Sequence, residues 1–114
     1  MSDCIFCKIA SGQIKSDLVY EDDAVVAFRD INPQAPVHVQ VIPRDHVENV
    51  AALTQDHSEL VAHLLLVAAQ IAREQGVGES GYRLVANVGP HGGQSVPHLH
   101  IHILGGRAMA WPPG

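Results

Sequence analysis

Aromatic side chains are scarce in this 114-residue chain: two Phe, two Tyr and one Trp make up 4%. A core must therefore be packed from Val, Ile, Leu and Ala, which the 46% apolar content supplies. Basic residues are also few. Seven Lys and Arg stand against twelve Asp and Glu, a formal charge of −5 with neutral His. That balance argues against a broad phosphate-backbone binder, which needs a basic face, but not against one phosphate in a local pocket. The longest apolar run, residues 64–69, is far too short to span a bilayer, and the acidic start Met1-Ser2-Asp3-Cys4 has no signal-peptide core. The expectation is a soluble cytoplasmic protein with neither nucleic acid nor membrane as partner. Only two cysteines occur, Cys4 and Cys7. Their C-x-x-C spacing, in a reducing compartment, points to metal or redox chemistry rather than a structural disulfide.

The chain shows no repeat, linker or low-complexity tract, and its length suits one domain, residues 1–114. Asp3 is placed to cap a short helix over residues 4–10, which Ser11-Gly12 stops. Residues 18–21 and 24–29 read as strands around a turn at Asp22-Asp23, and residues 37–42 as a third, ended by Pro43. A helical turn is expected over 47–52. Thr54 then caps one long helix, about 55–75, in which Leu60, Val61, Leu64, Leu65, Ala68, Ile71 and Ala72 recur at helical spacing. His57 and His63 are expected to be solvated on it, and His91 to sit in an exposed loop. Residues 82–88 read as another strand. The order of elements implies an α+β fold: an antiparallel sheet of about five strands, one long helix over one face and a short N-terminal helix.

Against this background one segment stands out: His98-Leu99-His100-Ile101-His102-Ile103-Leu104. Strict polar/apolar alternation is the period-2 signature of a half-buried strand. The three imidazoles then share one face, roughly 6.5–7 Å apart along the strand. They suit either a shared metal or phosphoryl transfer, in which one imidazole attacks phosphorus and a neighbour assists the leaving group. Three ligands nearly in a line reach one tetrahedral ion poorly. The preceding Gly92-Gly93-Gln94-Ser95 offers backbone N–H groups, an amide and a hydroxyl, a set able to wrap a phosphate without net positive charge.

The segment from Gly93 to Leu104 resembles the histidine-triad (HIT) nucleotide-binding family, whose motif is His-φ-His-φ-His-φ-φ with φ apolar. The tail, residues 105–114, resembles its Hint branch of purine nucleoside phosphoramidases. Asp30-Ile31-Asn32-Pro33-Gln34-Ala35-Pro36, His38 and Val41-Ile42-Pro43 are similar as well. The resemblance implies a HIT-like fold and hydrolysis of the P–N bond of purine nucleoside 5′-phosphoramidates through a nucleotidyl-histidine. His100 would be the nucleophile. His102 would contact the phosphate and the leaving nitrogen, Ser95 would assist that nitrogen, and His38 would stand behind the nucleophile. Gly93, Gln94 and Asn87 would line the phosphate site, Asp30 would bind ribose hydroxyls, and Phe28 and Ile31 would face the ribose and base. Trp111, in a homodimer, would reach the partner's site.

Cys4, Cys7, His46 and His98 match the zinc ligands of many bacterial members and of the related galactose-1-phosphate uridylyltransferases. His98 would then serve a structural metal rather than the substrate. A nucleotide-binding scaffold with incidental turnover, and a dinucleoside polyphosphate hydrolase, are the alternative functions; the Trp-Pro-Pro tail speaks against the second.

Overall fold

A computed structural model describes residues 3–114; Met1 and Ser2 of the acidic start lie outside it. The strands are β1 (Leu18–Glu21), β2 (Val25–Arg29), β3 (Val37–Pro43), β4 (Tyr82–Val85) and β5 (Ile101–Gly105). They form one sheet in the order β1-β2-β3-β5-β4, antiparallel at every junction. The chain leaves β3, passes through helix α2 (Ser58–Glu74), lays β4 at the edge, and returns to insert β5 beside β3. The last strand thereby becomes an inner one, with neighbours on both sides.

The sheet buries both faces. Val25, Ala27, Val39, Val41, Ile101 and Ile103 meet Leu64, Val67, Ala68, Ile71 and Ala72 of α2 on one side. Spacings of three and four place these α2 residues on one stripe. Val67 belongs to it, whereas Leu65, which the sequence pattern includes, is 46% exposed. On the other side Val26, Phe28 and Ile42 lie under helix α1 (Ile5–Ala10), which contributes Phe6, Ile9 and Ala10. Alternation along β3 puts His38 and Gln40 on this second face, and register places Gln40 opposite His102. The histidine-bearing face is thus roofed by α1 over part of its width.

Several boundaries differ from the sequence reading. The N-cap of α1 is Cys4, not Asp3: the Cys4 Sγ accepts from the Cys7 amide at 3.4 Å. Only residues 50–52 of the turn expected at 47–52 are helical, as a 3-10 turn. Thr54 does cap the long helix, but the first turn, Gln55–His57, is 3-10. β4 ends where its ladder ends, at the pair Val85–His102, three residues short of Val88. β5 begins only at Ile101, so His98 and His100 precede the paired strand. Among the described residues, no helix is long and apolar enough to cross a membrane.

His57 and His63 are not simply solvated. The Thr54 amide donates to His57 Nδ1 at 2.9 Å, closing a capping box. His63 Nε2 lies 2.6 Å from Asp22 Oδ2, which also accepts from Tyr20 Oη at 2.6 Å. Asp22 Oδ1 accepts from the Ala24 and Val25 amides. Burial alone would raise the Asp22 pKa. The hydrogen bonds outweigh it and hold the carboxyl well below its ordinary range. Asp22 thereby ties the β1–β2 turn to α2.

Candidate active site

The hydrogen bonds around the histidines assign their protons. A backbone N–H can only donate, and Gln34 N–H reaches His38 Nδ1 at 3.0 Å. Neutral His38 therefore carries its proton on Nε2, which donates to His102 Nδ1 at 2.9 Å. Neutral His102 in turn carries its proton on Nε2. Burial lowers the His38 pKa, opposed by the Asp30 carboxylate. Burial, then the neighbouring His100 and His38, pull His102 down to about 4. Both rings are accordingly neutral at pH 7. A carbonyl can only accept, and the His98 carbonyl lies 2.6 Å from His100 Nδ1. His100 is thus protonated at Nδ1 and presents a lone pair at Nε2. It is 3% exposed, and its ring stands 5.0 Å from that of His102, steeply inclined. One imidazole offers a lone pair and its neighbour an N–H.

Asp30 borders this pair. Its Oδ1 accepts from the Asn32 amide at 2.9 Å, and its Oδ2 accepts from Gln40 Nε2 at 2.7 Å, 3.4 Å from His38 Nε2. A carboxylate has about four acceptor positions, so capacity remains for a ligand. Of the residues expected at the nucleoside, Ile31 is 99% exposed beside Asp30. Phe28 is buried edge-to-face on Phe6, with centroids 5.4 Å apart, so packing claims its ring. Asn87 sits apart, lining a cavity of about 440 Å³ with Val85, Leu104, Arg83, Arg107 and the tail. Val85 is the cross-strand partner of His102, so this cavity adjoins the histidines on their own face. Arg83 holds the tail there by donating to the Ala110 carbonyl at 2.7 Å. Trp111 is 83% exposed and stands outside the cavity lining.

The glycine loop departs from expectation. The Gly93 and Gln94 amides donate to the Pro90 and Gly89 carbonyls, so they build the loop instead of facing a phosphate. The Gln94 side chain is saturated. Its oxygen accepts from Asn49 Nδ2 and the Gly89 amide, and its nitrogen donates to the Glu48 and Val96 carbonyls. Gln94 therefore shapes the turn and has no side-chain capacity left for substrate. A Cβ on Gly92 would collide with the Val88 carbonyl oxygen, and Gly93 has φ +75°, so glycine is required at both positions. Ser95 is exposed at the loop's end.

His98 turns away from the other two. Its Nε2 donates to the Pro43 carbonyl at 2.9 Å, which aims the Nδ1 lone pair at Cys4 and Cys7. His98 Nδ1 lies 3.3 Å from Cys4 Sγ, 3.5 Å from Cys7 Sγ and 3.2 Å from His46 Nδ1; Cys7 Sγ and His46 Nδ1 are 3.4 Å apart. A tetrahedral zinc with its usual bond lengths spaces its ligand atoms at about 3.3–3.8 Å. The four donors fit that ion in type, number and spacing. Sequence reasoning missed two neighbours of the site. Phe6, between the cysteines, places its ring edge-on to His100 at 5.1 Å and near His98 at 6.0 Å. Gln40, a polar residue in the apolar run of β3, grips Asp30. The interruption of that run was its only signal.

The family model described as "Scavenger mRNA decapping enzyme C-term binding" matches residues 3–110. The chain is 48% identical to the purine nucleoside phosphoramidase of Escherichia coli, covering 92% of this chain and 88% of that protein. It is 51% identical to the 14 kDa zinc-binding protein of Zea mays, covering 99% and 89%. The crystal structure of a HIT family hydrolase from Legionella pneumophila superposes with a TM-score of 0.97 at 51% identity, covering 98% of this chain and 100% of that one. Likeness over nearly the whole length, together with the histidine arrangement, makes this chain a member of the histidine-triad (HIT) family, in the company of its hydrolases.

Proposed function

We propose that the protein is a cytoplasmic nucleoside phosphoramidase that hydrolyses the P–N bond of purine nucleoside 5′-phosphoramidates. The observation that carries this reading is the His100 ring, whose Nδ1–H is held by the His98 carbonyl at 2.6 Å. Its Nε2 lone pair attacks the α-phosphorus as the bond from phosphorus to the amine nitrogen breaks. The amine leaves with a proton delivered through Ser95, while His102 Nε2–H steadies a phosphate oxygen. Water then attacks the nucleotidyl-histidine: its oxygen bonds to phosphorus as the bond to His100 Nε2 breaks, the proton it sheds replaces the one Ser95 passed to the amine, and a nucleoside 5′-monophosphate leaves with the His100 lone pair restored. Asp30 takes up the ribose, and the cavity beside His102 gives the leaving group room. The name of the Escherichia coli relative supports this assignment.

Cys4, Cys7, His46 and His98 would hold a structural zinc, which pins α1 to the histidine segment and takes no part in the chemistry. The ligand spacing supports this, as does the name of the maize relative. A homodimer completes the reading. β4 leaves one sheet edge unpaired, with Leu84 38% exposed on it, while Leu65 and Leu66 of α2 are 46% and 69% exposed. An open edge with exposed leucines favours self-association. The exposed Trp111 would then face the partner's leaving group.

Turnover of an adenosine 5′-phosphoramidate by wild type and His100→Ala tests the chemistry. The expected loss in the variant is at least ~1,000-fold, and equal rates would sink the nucleophile assignment. Sedimentation that shows only monomer would remove the role given to Trp111.

A further inference from the structure

Phe6 stands between two sites. It lies between Cys4 and Cys7 in the first turn of α1, and its ring is edge-on to His100 at 5.1 Å and to His98 at 6.0 Å. The His98 carbonyl in turn holds the His100 Nδ1–H at 2.6 Å. Movement of that first turn is therefore felt at the nucleophile through two contacts. The two sulfurs are placed to move it. Cys4 is the N-cap, in extended backbone, and its Sγ accepts from the Cys7 amide at 3.4 Å, which holds it over the first turn. The Sγ atoms of the pair lie within 4.8 Å of each other. Both cysteines are partly exposed, and Cys7 Sγ borders the exposed His46, whereas His98 is fully buried. A thiolate that solvent reaches is open to oxidation, unlike a buried one. No other cysteine occurs in the chain.

We propose that Cys4 and Cys7 form a site of reversible oxidation by hydroperoxides, at which a disulfide replaces the metal and Phe6 carries the change to His100. The inference rests on the zinc reading above and is independent of the substrate. A metal-bound cysteine is a thiolate. The Cys7 sulfur attacks one oxygen of the hydroperoxide, the O–O bond breaks, the other oxygen leaves as hydroxide or alkoxide, and Cys7 becomes a sulfenic acid. The Cys4 thiolate attacks that sulfur, so that the S–S bond forms, the S–O bond breaks and hydroxide leaves. Two electrons pass from the sulfurs to the peroxide, and the two displaced anions take protons from solvent. His46 and His98 are then the only donors left, too few for a closed tetrahedral site. A sulfur–sulfur bond needs about 2 Å, where zinc ligands keep about 3.3–3.8 Å. Closing that gap draws Cys4 and Cys7 together across the turn that carries Phe6, and His98 loses its tie to both cysteines in the same step.

Titration of the full-length, reduced, zinc-loaded protein with hydrogen peroxide tests this without any need for turnover. Zinc release is read with a chelating dye, the bridge by intact mass and by peptide mapping after thiol alkylation, and the His100 ring by nitrogen-15 NMR. About one zinc should leave per disulfide formed, at the same rate. The His100 signals should shift in step, and a thiol reductant with added zinc should restore all three readouts. Cys4→Ser and Cys7→Ser should each form no internal bridge. Either variant can lose its metal and unfold, so the mapped bridge in wild type is the independent measurement. Zinc retained while the bridge forms, or methionine oxidised while both thiols stay intact, overturns the inference and leaves the zinc reading standing. His100 signals that stay fixed while zinc leaves overturn the link to the nucleophile. Reduced wild type that binds no zinc removes the zinc reading and this inference together.

Discussion

His38 and His102, 64 residues apart in sequence, share one hydrogen bond of 2.9 Å whose direction is set by the Gln34 backbone amide. That amide occupies His38 Nδ1, so the His38 proton points to His102, which leaves the His102 proton on Nε2, the atom proposed to meet the phosphate. In the proposed reaction His38 would thus act as a positioning residue, through His102, without touching the substrate.

Replacing His38 with Ala removes the donor that fixes the His102 tautomer. Turnover of an adenosine 5′-phosphoramidate should fall ~10–100-fold, less than the loss in His100→Ala. Nitrogen-15 NMR of the imidazoles should show His102 changing from a single Nε2–H form to a tautomer mixture. An unchanged His102 spectrum would refute the relay.

The pH dependence of stability follows from His102. Its pKa falls on folding from the ordinary ~6.5 to about 4. The unfolded chain therefore binds this proton more readily. The contribution is complete above pH ~6.5 and is lost as pH falls towards 4, at ~1.4 kcal/mol per pH unit within that window. Thermal melts of wild type and His102→Gln from pH 7.5 to 4.5 should show the smaller acid loss in the variant. The difference between the two isolates His102 from the other histidines.

Chelation tests the metal cluster. Purified protein should carry about one zinc per chain. Cys7→Ala should lose it and unfold more easily by more than ~3 kcal/mol, because loss of a structural metal is among the largest single effects. Metal-free wild-type protein with an unchanged melting temperature would rule the zinc out.

Phe6 links that cluster to the nucleophile, since its ring lies edge-on to His100, His98 and Phe28. Phe6→Ala should cost ~3–5 kcal/mol of stability through the cavity it leaves. Phe6→Leu, which fills most of that space, should keep its zinc yet lose several-fold in kcat with little change in KM. A kcat equal to wild type would leave Phe6 with a packing role only.

The sequence carried much of this directly. Alternation from His98 to Leu104 marked the histidine segment, and helical spacing in 60–72 located the core helix, because side-chain period is a local property of the backbone; the pattern did not show that pairing begins only at Ile101 or that His98 turns from the other two towards the cysteines. The C-x-x-C pair, His46 and His98 were legible by resemblance, and they converge in space. What local pattern could not supply was the division of labour. The proton positions on His38, His100 and His102 depend on carbonyls and amides of other segments. The engagement of Gln94 within its own loop and the roof of α1 over the histidines depend on contacts made only when distant segments meet. Periodicity tells which face a residue occupies. Which atom on that face holds a proton or a lone pair is decided by tertiary packing, because each hydrogen bond needs a second group that the local sequence does not contain.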